Sequence, residues 1–272
     1  MKTKMTVIVD NISGNGLAGE WGLSILAQAG GSKILIDAGS TELFADNLAL
    51  LGYDIGDRDY AVLSHAHYDH ANGMPRLLRD NDKVTLYVRE TTFPGCYKII
   101  DPETKYIGIP KELMTEYKDR IRIVSGDHTR FDGVYLIPHK TPGLEAIGKR
   151  EHMFILTERG WKTDDFSHEQ SVAFDTDKGL VIVSSCSHGG AVNIINEIRA
   201  TFPDRHIYGL VGGLHLYNKE DDEIRAVARN IADTGIDHVY TGHCTEEHAY
   251  GILKEELGDR VEQFRTGLVM DF

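Results

Sequence analysis

The chain has 272 residues, 41% of them hydrophobic and 26% charged, the balance of an ordinary globular protein with a sizeable core. Its formal net charge of −13, with no concentrated run of Lys and Arg, disfavours nucleic acid and anionic membranes as partners, since such a field repels phosphates. No apolar run reaches the length of a membrane span, and three widely spaced cysteines, Cys96, Cys186 and Cys244, imply no disulfide framework, so a reducing cytoplasm is the expected location.

In chain order, the opening "MKTKMTVIVDNISGNG" lacks a long apolar stretch and reads as a first strand, not a signal peptide. Strands are predicted at 5–9, 23–28, 33–37, 60–64, 84–88, 121–124 and 134–138, most of them followed by Gly, Asn or Asp. Helical spacing marks 41–52, which ends in Gly, and a shorter helix at 74–80. The second half repeats the layout. Strands are predicted at 171–175, 180–185, 207–213 and 238–242, and helices at 191–202, 220–235 and 246–258. Two sheets packed face to face with helices outside would bury such a set. The closely spaced early strands imply hairpins and argue against a doubly wound parallel sheet. Two stretches, 89–120 and 139–170, are polar and punctuated by Gly and Pro. They read as insertions on a single domain spanning 1–272, suited to a lid or a substrate wall.

The chemistry concentrates in "LSHAHYDHANG". His65, His67, Asp69 and His70 lie within six residues at the end of a strand. His65 and His67, two apart, face the same way in extended chain and can converge on one ion. Asp69 and His70 follow where the chain turns. Imidazoles and a carboxylate suit zinc, with manganese or iron as alternatives. Further donors follow later strands: Cys186 and His188 in "SSCSHGG", His215 in "GGLHL" and His243 in "TGHCT". Each has the same design of apolar strand, small residues and then histidine. Gly212 and Gly213 ahead of His215 would let a ligand approach the backbone.

His65-Ala66-His67-Tyr68-Asp69-His70 resembles the H-x-H-x-D-H signature of the metallo-β-lactamase superfamily. "LIDAG" (35–39) is similar to its strand-ending Asp-x-Gly segment. The resemblance implies a four-layer αββα sandwich, two mixed sheets with helices outside, and two divalent metal ions at one edge. It implies His65, His67 and His188 at the first ion, and Asp69, His70 and His243 at the second, with Asp37 behind them. Asp69 would also orient or deprotonate an attacking water. Cys186 stands near the place of the family's bridging Asp, either as a thiolate ligand or as a buried apolar thiol. His215 is either a further ligand or a group facing the substrate, the latter being favoured, to stabilise an oxyanion or phosphate.

Two departures matter. The family's T-P-G-H histidine is replaced, because Leu144 follows Thr141-Pro142-Gly143, and the comparable G-D segment reads Ser185-Cys186-Ser187-His188. "CSHGG", "GGLHL" and "TGHCT" look like one branch of the superfamily. Its members are hydrolases of unassigned substrate and enzymes that join a pterin to a ribofuranosyl-aminobenzene phosphate. The expected activity is metal-dependent hydrolysis of a small, anionic phosphorylated or ester metabolite. The alternatives are a pterin-transferring synthase that displaces pyrophosphate and a non-catalytic metal-binding module. A di-iron redox protein of this superfamily would usually carry Glu where His67 stands.

Overall fold

Alternation of side chains along the strands decides the layers. In the computed structural model, which describes residues 1–92, 95–126, 129–131 and 133–272, the strands are β1 (Thr3–Val9), β2 (Ser24–Ala29), β3 (Ser32–Ile36), β4 (Tyr60–Val62), β5 (Thr85–Arg89), β6 (Gly95–Ile100), β7 (Glu103–Tyr106), β8 (Ile121–Val124), β9 (Thr129–Phe131), β10 (Val134–Pro138), β11 (Met153–Thr157), β12 (Gly160–Thr163), β13 (Gln170–Thr176), β14 (Gly179–Val183), β15 (Ile207–Val211), β16 (His238–Thr241), β17 (Val261–Gln263) and β18 (Val269–Asp271). The helices are α1 (Leu43–Leu50), α2 (Tyr68–Ala71), α3 (Met74–Asp80), α4 (Glu112–Thr115), α5 (Glu145–Arg150), α6 (Ala191–Thr201), α7 (Asp221–Asp233) and α8 (Glu246–Leu257).

Two seven-stranded sheets run β18-β1-β2-β3-β4-β5-β8 and β17-β16-β15-β14-β13-β10-β9. Each is antiparallel at one end and parallel at the other, the parallel pairs being β3-β4-β5-β8 and β14-β15-β16-β17. Both are therefore mixed, as the resemblance implies.

Period-2 alternation gives every central strand two buried faces. Met5, Val7, Ile25, Ile34, Ile36 and Val62 of the first sheet meet Val134, Leu136, Val172, Phe174, Val181 and Val183 of the second in a shared inner core. The intervening positions point outwards. Leu26, Leu35 and Ala61 pack with Phe44 and Leu48 of α1 and with Leu77 and Leu78 of α3. Ala173, Ile182 and Leu210 pack with Ile194, Ile195 and Ile198 of α6, Ile224 and Ile231 of α7, and Leu253 of α8. The result is an αββα sandwich.

The two stretches read as insertions are partly ordered as a third sheet, β12-β11-β6-β7. Residues 93 and 94 of the first stretch lie outside the described residues. Hydrophobic periodicity did not mark these strands because their exposed faces are mixed, with Trp161, Leu156 and Ile100 open to solvent. No helix among the described residues is long and apolar enough to cross a membrane.

Candidate metal centre

Parallel strands of one sheet share a direction, so their carboxyl ends gather at one edge. The segments following β3 and β4 carry Asp37 and His65-His70; those following β14, β15 and β16 carry Cys186 and His188, His215 and His243. The fold thus brings every residue singled out in the sequence to one rim.

Hydrogen bonds at the back of this rim fix which ring nitrogen three of the histidines offer. Asp37, fully buried, accepts from Ser64 N–H at 2.8 Å and from the Ser64 hydroxyl at 2.6 Å. With that hydroxyl proton committed, Ser64 Oγ accepts from His65 Nδ1 at 2.8 Å, which leaves Nε2 as a bare lone pair. His70 Nδ1 donates to Asp37 Oδ2 at 2.8 Å, freeing its Nε2 in the same way. His243 Nδ1 donates to Asn11 Oδ1 at 3.0 Å, while Asn11 Nδ2 donates to the His243 carbonyl at 3.2 Å, so the amide orientation is fixed by both ends. One carboxylate, one hydroxyl and one amide thereby set three tautomers.

The freed nitrogens converge. Donor atoms of His65, His67 and His188 lie within 4.8 Å of one another. Asp69 Oδ2 lies 3.8 Å from His70 Nε2 and 3.5 Å from His243 Nε2, and it accepts a hydrogen bond from Trp21 Nε1 at 2.9 Å. Cys186 Sγ, 3.1 Å from His70 Nε2, stands between the two sets and within 4.8 Å of donors from both. His188 is held from behind: its ring stacks on Phe166 at 4.6 Å, and its N–H donates to the buried Glu169.

Several buried nitrogens here have no hydrogen-bond partner: Nε2 of His65, His67 and His243, and both ring nitrogens of His188 and of His215. Leaving so many polar atoms unsatisfied is costly, because buried polar groups are almost always paired. Burial and the neighbouring imidazoles hold His65 and His188 well below the ordinary histidine range, and burial brings His67 down to about 4. All three are neutral donors at neutral pH, as a metal requires. In the second set, burial opposes charge on His70, yet Asp69 and Asp37 prevail and raise it to about 9. A divalent cation bound there would invert this preference and leave Nε2 as the donor. Burial and Cys244 push the Cys186 thiol up, a preference that a nearby cation inverts. The donor set fits a divalent metal.

Backbone strain marks the same rim. Asp37, Ser187, His215 and His243 all have left-handed backbones, with φ of 58°, 54°, 50° and 48°. Gly212 has a different task from the one its position suggested. A Cβ there would meet the Ser184 carbonyl oxygen at 1.8 Å, so the glycine lets the ends of β14 and β15 close on each other.

In front of the donors lies a cavity of ≈ 210 Å³. Trp21, Tyr68, Tyr217, Ile107 and Met153 wall it, and Lys98 and Lys105 close it from the third sheet. His215 faces it, with Nε2 3.8 Å from the buried Glu151 carboxylate. Burial disfavours charge on His215, but Cys244 and Glu151 raise it to about 9. Leu144 packs into the first core, so no ligand enters from the Thr-Pro-Gly segment.

The sequence did not single out Asn11, Trp21, Glu169 or His168. His168 accepts from Ala66 N–H at 3.1 Å and sits 3.1 Å from Asp164 and 3.7 Å from Cys96, directly behind His67. Only Asn11 carries a recoverable signal, as a polar residue two positions after a buried strand.

Comparison with known proteins gives a consistent picture. Residues 22–150 match the metallo-beta-lactamase superfamily. The 7,8-dihydropterin-6-methyl-4-(beta-D-ribofuranosyl)-aminobenzene-5'-phosphate synthase of Methanocaldococcus jannaschii is 24% identical over 258 residues, covering 88% of this chain and 84% of that enzyme. The crystal structure of a metal-dependent hydrolase of the beta-lactamase superfamily superposes with a TM-score of 0.84 at 26% identity, covering 99% of both chains. The metallo-beta-lactamase fold protein YhfI of Bacillus subtilis shares the fold alone, with a TM-score of 0.61 at 14% identity over 100% of each chain. The αββα sandwich and the rim of histidines thus accompany a match of residues 22–150 to the metallo-β-lactamase superfamily and the fold of its solved members.

Proposed function

We propose that the protein is a binuclear metal-dependent hydrolase of a small phosphorylated or ester metabolite. The observation that carries this reading is the convergence of unpartnered, buried histidine nitrogens on an open cavity. His65, His67 and His188 would hold one ion, and Asp69, His70 and His243 the other, with the Cys186 thiolate as a further donor. Zinc suits these donors best. Bound there, divalent ions would supply Lewis acidity and make water a nucleophile near neutral pH.

The chain's own groups would do the rest. Asp69, anchored by Trp21 Nε1, presents its carboxylate at the cavity as a proton acceptor. His215, backed by Glu151, faces the same space and would donate to developing negative charge on a carbonyl or phosphoryl oxygen. Trp21, Tyr68 and Tyr217 would orient an apolar or flat body while excluding water from part of the site.

A panel of phosphodiester, phosphomonoester and carboxylic-ester probes, run on metal-loaded protein beside His65→Ala and Asp69→Ala, tests this reading. Hydrolysis that both substitutions abolish supports it; activity that survives both contradicts it.

A second reading is favoured by one finding, the likeness to the archaeal synthase across 88% of the chain. In that case the same donors would hold metal ions that take up a departing diphosphate, and a pterin would pass to an aromatic acceptor. Incubation with a pterin diphosphate and an aminobenzene ribotide separates the two: a coupled product supports transfer, and free pterin alcohol as the sole product supports hydrolysis. Metal binding without turnover in either assay would leave a metal-binding module.

A further inference from the structure

The third sheet places two cations in an unusual relation. In the antiparallel β6-β7 pair, Lys98 stands directly opposite Lys105. Like charges at directly opposed positions destabilise a strand pair. Neither lysine forms an ion pair with a carboxylate among the described residues, although the chain carries 42 acidic side chains. Both point into the cavity, on the same sheet face as Met153, which pairs with Lys98 from the other side. Alternation sends the neighbouring Tyr97, Tyr106 and Trp161 to the opposite face, where their rings contact one another. Lys105 Nζ also lies 5.5 Å over the ring of Tyr68, whose neighbour in sequence is Asp69.

We infer that Lys98 and Lys105 form an anion subsite that recognises a phosphate group of the substrate remote from the reacting bond. This deepens the proposed function, resting on it for the location of the reacting group. An anion between the two ammonium groups relieves their repulsion, so ligand binding supplies the counter-charge that the fold omits. The aromatic walls between the lysines and the histidines would fit a body linking the two ends. The substrate class is thus a compact phosphorylated metabolite gripped at both ends. The lysine pair selects for the phosphate, and the histidine rim acts on the other end.

Calorimetric titration of metal-loaded protein with inorganic phosphate at low ionic strength tests the subsite. Wild type should bind phosphate, and binding should weaken as salt rises. Lys98→Gln/Lys105→Gln should weaken it roughly tenfold or more, and Lys98→Arg/Lys105→Arg should restore most of the loss. His65→Ala/His67→Ala, which removes metal donors, should leave a lysine-dependent component in place. Phosphate affinity in the glutamine variant within about twofold of wild type would overturn the inference, as would no binding to wild type. A loss confined to the histidine variant would also overturn it, because phosphate would then be bound by metal alone. The proposed hydrolase survives those outcomes and fails on its own test, the loss of metal-dependent turnover.

Discussion

Replacing Asp37 by asparagine should weaken metal binding at both sets of histidines through a single buried atom. The backbone at residue 37 is left-handed, with φ of 58°, a conformation asparagine tolerates, and the two side chains have the same shape. The carbonyl of the introduced amide would still accept from Ser64 N–H. The amide nitrogen, however, would replace the oxygen that now accepts from both Ser64 Oγ and His70 Nδ1. An NH₂ group donates, so both bonds must reverse. His70 would then take its proton on Nε2, the atom facing Cys186 and Asp69. Ser64, now an acceptor from the amide, would turn its own proton to His65 Nδ1 and move that ring's proton to Nε2 as well. Losing such an orienting partner typically costs about 10- to 100-fold in metal affinity, or roughly 1.4–2.8 kcal/mol, at each ion. Competition against a chromophoric chelator measures both affinities. Ser64→Ala is the control and should perturb the His65 ion far more than the other. If the Asp37→Asn variant holds two ions within about twofold of wild-type affinity, the tautomer argument is wrong.

Other predictions follow from single contacts. With cobalt as a spectroscopic substitute, a Cys186 ligand gives a thiolate charge-transfer band in the near ultraviolet. Cys186→Ser should abolish it and Cys244→Ser should not; an unchanged spectrum for Cys186→Ser assigns the thiol to the core. Gly212→Ala forces a Cβ to 1.8 Å from the Ser184 carbonyl, so the urea midpoint should drop by the equivalent of about 3 kcal/mol. A midpoint within error of wild type would refute the close approach of β14 and β15. Phe174→Ala, at a fully buried ring between the two sheets, should cost about 3–5 kcal/mol in the same assay, and a loss below about 1 kcal/mol would contradict the shared inner core. Removing metal with a chelator should lower the melting temperature, because the buried histidine nitrogens lose their partner. No shift would mean that folding does not depend on filling the rim.

Much of the sandwich was legible because its central strands are buried on both faces. Runs such as "VYLIP" and "LVIV" keep nearly every position apolar, and the helices that cover them show helical spacing with buried Ile194, Ile195 and Ile198. The residues that gather at the rim were legible because the chain repeats one device, a strand end followed by histidine. What sequence could not convey was how the donors are held. Asn11 and His243 are far apart in the chain and meet only because β1 and β16 end at one rim. The third sheet escaped for a different reason. Its strands are half exposed, only β11 keeps an alternating apolar face, and the opposition of Lys98 to Lys105 depends on a register that composition does not encode.

The central claim is tested most directly by elemental analysis of the purified protein after equilibration with zinc and gel filtration. The account predicts about two ions per chain, falling to about one or none in His65→Ala/His67→Ala. Retention of no metal by the wild type, or an unchanged content in that variant, would contradict it.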